Sequence, residues 1–130
     1  MGNGFAVRNA HHNDRERLVP ESLLICDLTQ SWSPTGGGGV STYLKEKRRY
    51  IQERTEHRLL QIVPGPCDRI TVSGRTIFAE VGSGTVWGSP NYRWISRNDA
   101  VFALLREYQP DIIESLCPWV LPWLAIRPTI

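Results

Sequence analysis

The chain has 130 residues, with 15 Lys+Arg against 13 Asp+Glu, a formal net charge of +2 that gives no field for nucleic acid. With 41% hydrophobic residues and 11 Gly its apolar share reaches about 49%, inside the globular range and above that of a disordered chain. A chain of this length can bury roughly two-thirds of its unfolded surface, so neither disulfides nor metal are required for stability. No window approaches the roughly 20 apolar residues of a membrane helix and no secretory signal opens the chain, so a cytoplasmic location is expected. Cys26, Cys67 and Cys117 form an odd set without a C-x-x-C or paired His spacing, and read as buried thiols rather than a disulfide framework or zinc site.

Residues 1–20, rich in Asn and His with no apolar period, have the composition of a mobile tail. The near-continuous apolar run over 22–28 predicts a strand covered on both faces, as in a parallel sheet. Residues 29–39 break every regular pattern and predict a loop that ends in Gly36, Gly37, Gly38 and Gly39. Val40, Tyr43, Leu44, Lys47 and Ile51 then fall on one stripe of a helix that runs to about Glu53 or Arg54. Leu59 to Val63 reads as a second strand stopped by Pro64, Gly65 and Pro66, and a parallel pair joined by a crossover helix is the economical arrangement.

The β-branched stretches over 69–73 and 75–81, split by Gly74, predict a hairpin at a sheet edge or as an excursion. After an irregular segment over 82–90, Val101, Leu104, Leu105 and Tyr108 share one helical face, with Ser96 and Asp99 as a capping arrangement and Pro110 as the stop. Residues 111–116 supply a third candidate parallel strand. Trp119, Trp123 and Ile126 follow at helical spacing and suggest a helix that packs inward, with the sheet left incomplete where the chain stops.

The glycine run carries the most chemistry. A Gly-rich turn after the carboxyl end of a strand lets the backbone approach a ligand while the next helix presents free N–H groups, an arrangement that attracts anions. It is neither a Walker loop nor a full G-x-G-x-x-G, and a purely structural turn is the alternative. Glu114, near the carboxyl end of the third strand, is placed to orient a hydroxyl group or else to pair with a cation, and Asp27 has the same choice at the end of the first strand. Lys45, Lys47, Arg48 and Arg49 interleave with Glu46 and read as a solvated helix face rather than a nucleic-acid site. Trp32, inside the polar loop, is a candidate stacking platform, since nothing near it in sequence demands a buried aromatic. His57 has no evident partner, and no catalytic triad or carboxylate pair stands out.

The opening strand, the Ser33-Pro-Thr-Gly-Gly-Gly-Gly-Val40 turn, the helix with Tyr43 and Leu44, the strand ending Ile62-Val63-Pro64, and Tyr108-Gln-Pro-Asp111-Ile-Ile-Glu-Ser115 occur in that order. Together they resemble the N-terminal domain of family 4 glycosyltransferases of the GT-B fold, from about Leu23 to the end of the chain. The resemblance implies an α/β fold in which a Rossmann-like parallel sheet is flanked by helices with a β-hairpin excursion. Behind the tail over 1–20 it implies a partial domain over 21–130, an incomplete half of GT-B. Such a domain would sit on the acceptor side of a retaining enzyme that moves sugar from a nucleotide-sugar donor to a sugar or lipid-linked acceptor, with no metal or other cofactor.

Carried onto this chain, Gly37, Gly38 and Gly39 line the donor phosphates, while Glu114, Ser115 and Trp32 face the acceptor. The chain stops before the strand that leads to the family's reactive-centre histidine and has no donor-binding domain. No catalytic residue is therefore assigned, and turnover by this chain alone is not expected. The alternative is a non-catalytic Rossmann-like module that binds a nucleotide or phosphate through the glycine turn. An incomplete sheet also leaves an exposed edge as a route to self-association.

Overall fold

The computed structural model describes residues 22–35 and 38–116. The expected tail, Gly37, Cys117 and the stretch over 119–126 lie outside them. In chain order the elements are β1 (Leu24–Leu28), β2 (Ser31–Trp32), α1 (Gly39–Arg54), β3 (Arg58–Gly65), β4 (Arg69–Ser73), β5 (Thr76–Gly82), β6 (Thr85–Val86), β7 (Ser89–Trp94), α2 (Asn98–Tyr108) and β8 (Ile112–Ser115). They form a mixed α/β architecture: a five-stranded sheet ordered β4-β5-β3-β1-β8 and a three-stranded sheet ordered β2-β7-β6.

In the larger sheet β1 runs parallel to β3 and β8, β3 runs parallel to β5, and only β4 is antiparallel, closing a hairpin with β5. The chain steps outward from β1 through β3 to β5 and then returns to the opposite side of β1 as β8. Strand order therefore reverses between β1 and β8, and the register there sets Asp27 beside Gln61 on one side and Glu114 on the other.

Both faces of this sheet are covered, which is why β1 and β3 read as near-continuous apolar runs, interrupted by Asp27 and Gln61. Leu24, Cys26 and Leu28 alternate onto the face shared with Leu60, Ile62, Ala79, Val81 and Ile95, where Val101 and Leu105 of α2 close the larger core. The other face packs Val63 against Leu44 of α1, Trp32 and Phe78.

Several boundaries differ from the sequence expectation. The inward line of α1 runs through Ser41, Leu44 and Ile51, while Val40 and Tyr43 are exposed, so the helix is rotated by about one residue from the expected stripe. Strand β3 continues through Pro64 and Gly65, which pair with Val81 and Gly82. The β1 partner has ended at Ile62, so one side of β3 is open there and a residue without an N–H is accommodated.

The segments expected to be irregular contain β2, β6 and β7, held by pairing between Ser31 and Trp94 and between Thr85 and Arg93. At the start of α2 the expected capping by Ser96 and Asp99 is absent: Arg97 is the N-cap and makes no side-chain cap bond. Ser96 lies one residue too early, and its carbonyl instead accepts from the Asn98 N–H at 3.2 Å. The helix ends at Gln109 in the left-handed conformation, φ 47°, whose N–H donates to the Leu105 carbonyl. Among the described residues no helix is long and apolar enough to cross a membrane.

Candidate functional site

The start of α1 follows the carboxyl end of β1 and opens on Gly38 and Gly39. Gly38 has φ −101° and ψ 161°, extended backbone that any residue adopts. A Cβ at Gly38 would meet the Tyr92 hydroxyl at an ordinary 3.5 Å, and one at Gly39 would meet nothing within 4 Å. Neither backbone conformation nor packing requires glycine at these two positions. The helix start has no side-chain cap and no acidic residue in its first turn, leaving the N–H groups of that turn and the dipole's positive end uncompensated by a carboxylate. The turn is braced from behind: Ser41 Oγ donates to the Ser33 carbonyl at 3.0 Å, and the Thr42 N–H and hydroxyl both donate to the Gly38 carbonyl.

Beside this turn, at the reversal of strand order, a polar network joins α1 to β1, β3 and β8. Lys47 Nζ donates to Asp27 Oδ1 at 2.5 Å and to Glu114 Oε2 at 2.6 Å. Tyr43 Oη donates to Glu114 Oε1 at 2.9 Å. Gln61 Nε2 donates to Asp27 Oδ2 and to the Leu44 carbonyl, and its own oxygen accepts from Arg48 Nε and Nη2. The Arg48 guanidinium lies over the Phe78 ring at 4.6 Å, and Phe78 meets Trp32 edge-on at 5.5 Å.

Burial pushes the Asp27 carboxyl up from its ordinary value, against the pull of its bonds from Lys47 and Gln61. Burial alone would lower Lys47, but its bonds to Asp27 and Glu114 outweigh that and hold the ammonium protonated above its usual range. The Lys47 bond, helped by Tyr43, lowers Glu114, which stays a carboxylate with about 41% of its side chain open. Asp27 is fully buried and can only anchor Lys47, whereas Glu114 can still accept a hydroxyl from outside.

Of the residues singled out from sequence, Gly38, Gly39 and Glu114 lie around the start of α1 and the adjoining β8, while Gly37 is outside the described residues. Ser115 is half-buried and paired with Leu28. Trp32 is 8% exposed and belongs to the core between α1 and the sheet, contrary to the reading that nothing nearby demands a buried aromatic. The basic run is not one solvated face: Lys45 and Arg49 are exposed, but Lys47 and Arg48 turn toward the sheet. His57 does have a partner, accepting the Leu23 N–H at Nδ1, which ties the start of β1 to that of β3. Cys26 is buried, and burial raises its thiol far above its ordinary value; Cys67 is exposed, contrary to expectation. Among the described residues no three His, Cys, Asp or Glu side chains come together as a metal site.

Gln61 and Tyr92 are marked by nothing local, and the sequence shows Tyr43 only as a member of the α1 stripe, with no sign of its bond to Glu114. Lys47 did carry a signal, since a lysine on a helix's apolar stripe must meet an acid if it turns inward. Compared with protein-family models, with curated proteins and with solved structures, the chain matches none.

Proposed function

We propose that this chain is the acceptor-side, Rossmann-like domain of a retaining glycosyltransferase, holding donor phosphates at the start of α1 and an acceptor hydroxyl at Glu114. The observation that carries the reading is the glycine pair. Gly38 and Gly39 are demanded by neither φ nor packing, and among the described residues nothing lies within 4 Å of a Cβ at Gly39, at the start of an uncapped helix. That helix start lies by the strand-order reversal, the place where open α/β sheets bind ligands. Sequence order supports the sugar-transfer part, through the Gly-Gly-Val turn and the Pro-Asp-Ile-Ile-Glu strand. Glu114 fits a hydroxyl, being ionised, partly open and fixed by Tyr43 and Lys47.

The same glycine pair would serve a non-catalytic phosphate-binding module, and one titration separates the two. Amide resonances are followed by NMR on adding uridine diphosphate, inorganic pyrophosphate, then methyl glycosides. The transferase reading expects shifts at Gly38 to Ser41 with the phosphates, lost in Gly39→Val at unchanged melting temperature. It also expects shifts around Tyr43 and Glu114 with the glycosides, lost in Glu114→Gln. Phosphate shifts without glycoside shifts would favour the module. Silence at the Gly38 to Ser41 amides would overturn both.

A further inference from the structure

Strand β4 is an edge of the five-stranded sheet, and among the described residues it pairs only with β5. All five of its residues are exposed. Ser73 and Thr76 flank the two-residue turn Gly74-Arg75, with Gly74 at φ +58°, and such a closing pair exchanges both ladder bonds. Arg69, Thr71 and Ser73 therefore turn their N–H and C=O groups toward β5, and Ile70 and Val72 turn theirs outward. The side chains of Ile70 and Val72 stand on the α2 face, opposite Ala79 and Ile77, yet are 48% and 66% exposed because α2 does not reach that far. Arg69, at the strand's first position, is its one charged residue, and no Lys, Pro or bulge blunts the rest of this edge, although those are the usual guards against strand addition.

We propose that β4 is a self-association surface that pairs antiparallel with β4 of a second copy, about a two-fold axis at Thr71. Of the registers that the outward-facing groups allow, this is the one that pairs both Ile70 and Val72 within the strand. Ile70 and Val72 become hydrogen-bonded pairs with Val72 and Ile70 of the second copy, closing four backbone bonds, and Thr71 faces Thr71 as the non-hydrogen-bonded pair between them.

Charge permits it, since Arg69 falls opposite Ser73 and no like charges meet; each Arg69 also keeps Glu80 of its own chain 3.8 Å away. On the α2 face the four aliphatic side chains make one strip. It continues the apolar floor of a cavity of about 630 Å³ that Ile70, Val81, Ala100 and Leu104 line between the hairpin and α2. A five-residue strand is only about 17 Å long, so the contact lies at the small end of specific interfaces and the dimer is weak and reversible.

Sedimentation equilibrium of the whole chain from about 10 to about 500 μM, a range suited to weak association, tests this. The average mass should climb toward twice that of one chain. Val72→Lys, at a position two-thirds exposed, should weaken the dimer at least tenfold at unchanged melting temperature. With the exposed Cys67 replaced by Ser, Thr71→Cys should cross-link two copies under mild oxidation, because facing Cα atoms of a non-hydrogen-bonded pair are about 4.5 Å apart. Ser73→Cys, about 13 Å from its counterpart in this register, should not. A monomer at every concentration, a dimer indifferent to Val72→Lys, or equal cross-linking through positions 71 and 73 would each overturn the proposal.

Discussion

Lys47 decides what the buried carboxylate Asp27 costs the protein. Asp27 is fully buried, and Lys47 is the cation that meets it, at 2.5 Å. Lys47→Met should therefore destabilise by about 3–5 kcal/mol in urea at neutral pH, the penalty of a buried charge left unpaired, and adding Asp27→Asn should return much of it. The pH profile follows from the directions of shift. Glu114 is lowered, so its contribution is present above the ordinary 4.5 and is lost as pH falls through the depressed value. Lys47 is raised, so its contribution is present below the ordinary 10.5 and is lost as pH rises through the raised value. Asp27, raised by burial, has the opposite sign on the acid side, where protonation relieves its buried charge. Urea midpoints across pH should show Glu114→Gln losing the acid limb alone, and Lys47→Met losing the alkaline limb while gaining stability toward acid as the unpaired Asp27 takes up its proton. Sequence marked Asp27 and Glu114 one at a time, and placed Lys47 on a stripe. That the three meet depends on β1 and β8 lying side by side with Asp27 in register with Glu114, and a pairing so distant in sequence leaves no local trace.

Helix α1 sets stability against binding. Gly38 is its N-cap in extended conformation with room for a side chain. Gly38→Asp should stabilise the chain by about 0.5–1 kcal/mol, through a cap bond and a favourable charge at the dipole's positive end. If phosphates bind there, the same carboxylate should abolish the pyrophosphate-induced amide shifts. A more stable variant that still binds pyrophosphate equally well would place the anion elsewhere. Elements of this kind were readable because their cause is local: the apolar period of α1, the runs of β1 and β3, and the hairpin β4–β5 around Gly74. The small sheet was not readable. Its strands β2 and β6 have two residues each, and β7 contains Pro90; they exist because Ser31 finds Trp94 and Trp32 finds Arg93, contacts that no window of sequence contains. The one-residue rotation of α1 has the same origin, since Arg48 turns inward to meet Gln61 on β3 and the ring of Phe78 on β5.

At the scale of the molecule, the small sheet is joined to the large one on both faces, by Trp32 of β2 against Val63 and Phe78 and by Ile95 on the α2 side. Ile95 directly follows β7, is fully buried, and packs in the α2-side core with Leu28, Ile62 and Val101. Its N–H donates to the Gln30 carbonyl while Gln30 Nε2 donates back to the Ile95 carbonyl, so backbone bonds and apolar contact converge there. The central strands β1 and β3 are flanked by strands on both sides and covered on both faces, whereas β6 and the outer part of β7 are mostly exposed. Hydrogen exchange should therefore separate two regimes: amides of β1 and β3 open only with global unfolding, and those of β6 and β7 open locally. Ile95→Ala, a buried aliphatic truncated in a packed core, should cost about 2–5 kcal/mol. Because Ile95 belongs to the larger core, the loss should speed exchange in β1 and β3 by the same free energy that it takes from the urea transition. Thr85→Gly, on an exposed strand of the small sheet, should speed exchange only in β6 and β7. If Ile95→Ala also leaves β1 and β3 protected, the small sheet and its junction form a separate unit, and the glycine turn that Tyr92 overhangs is not held by the main core.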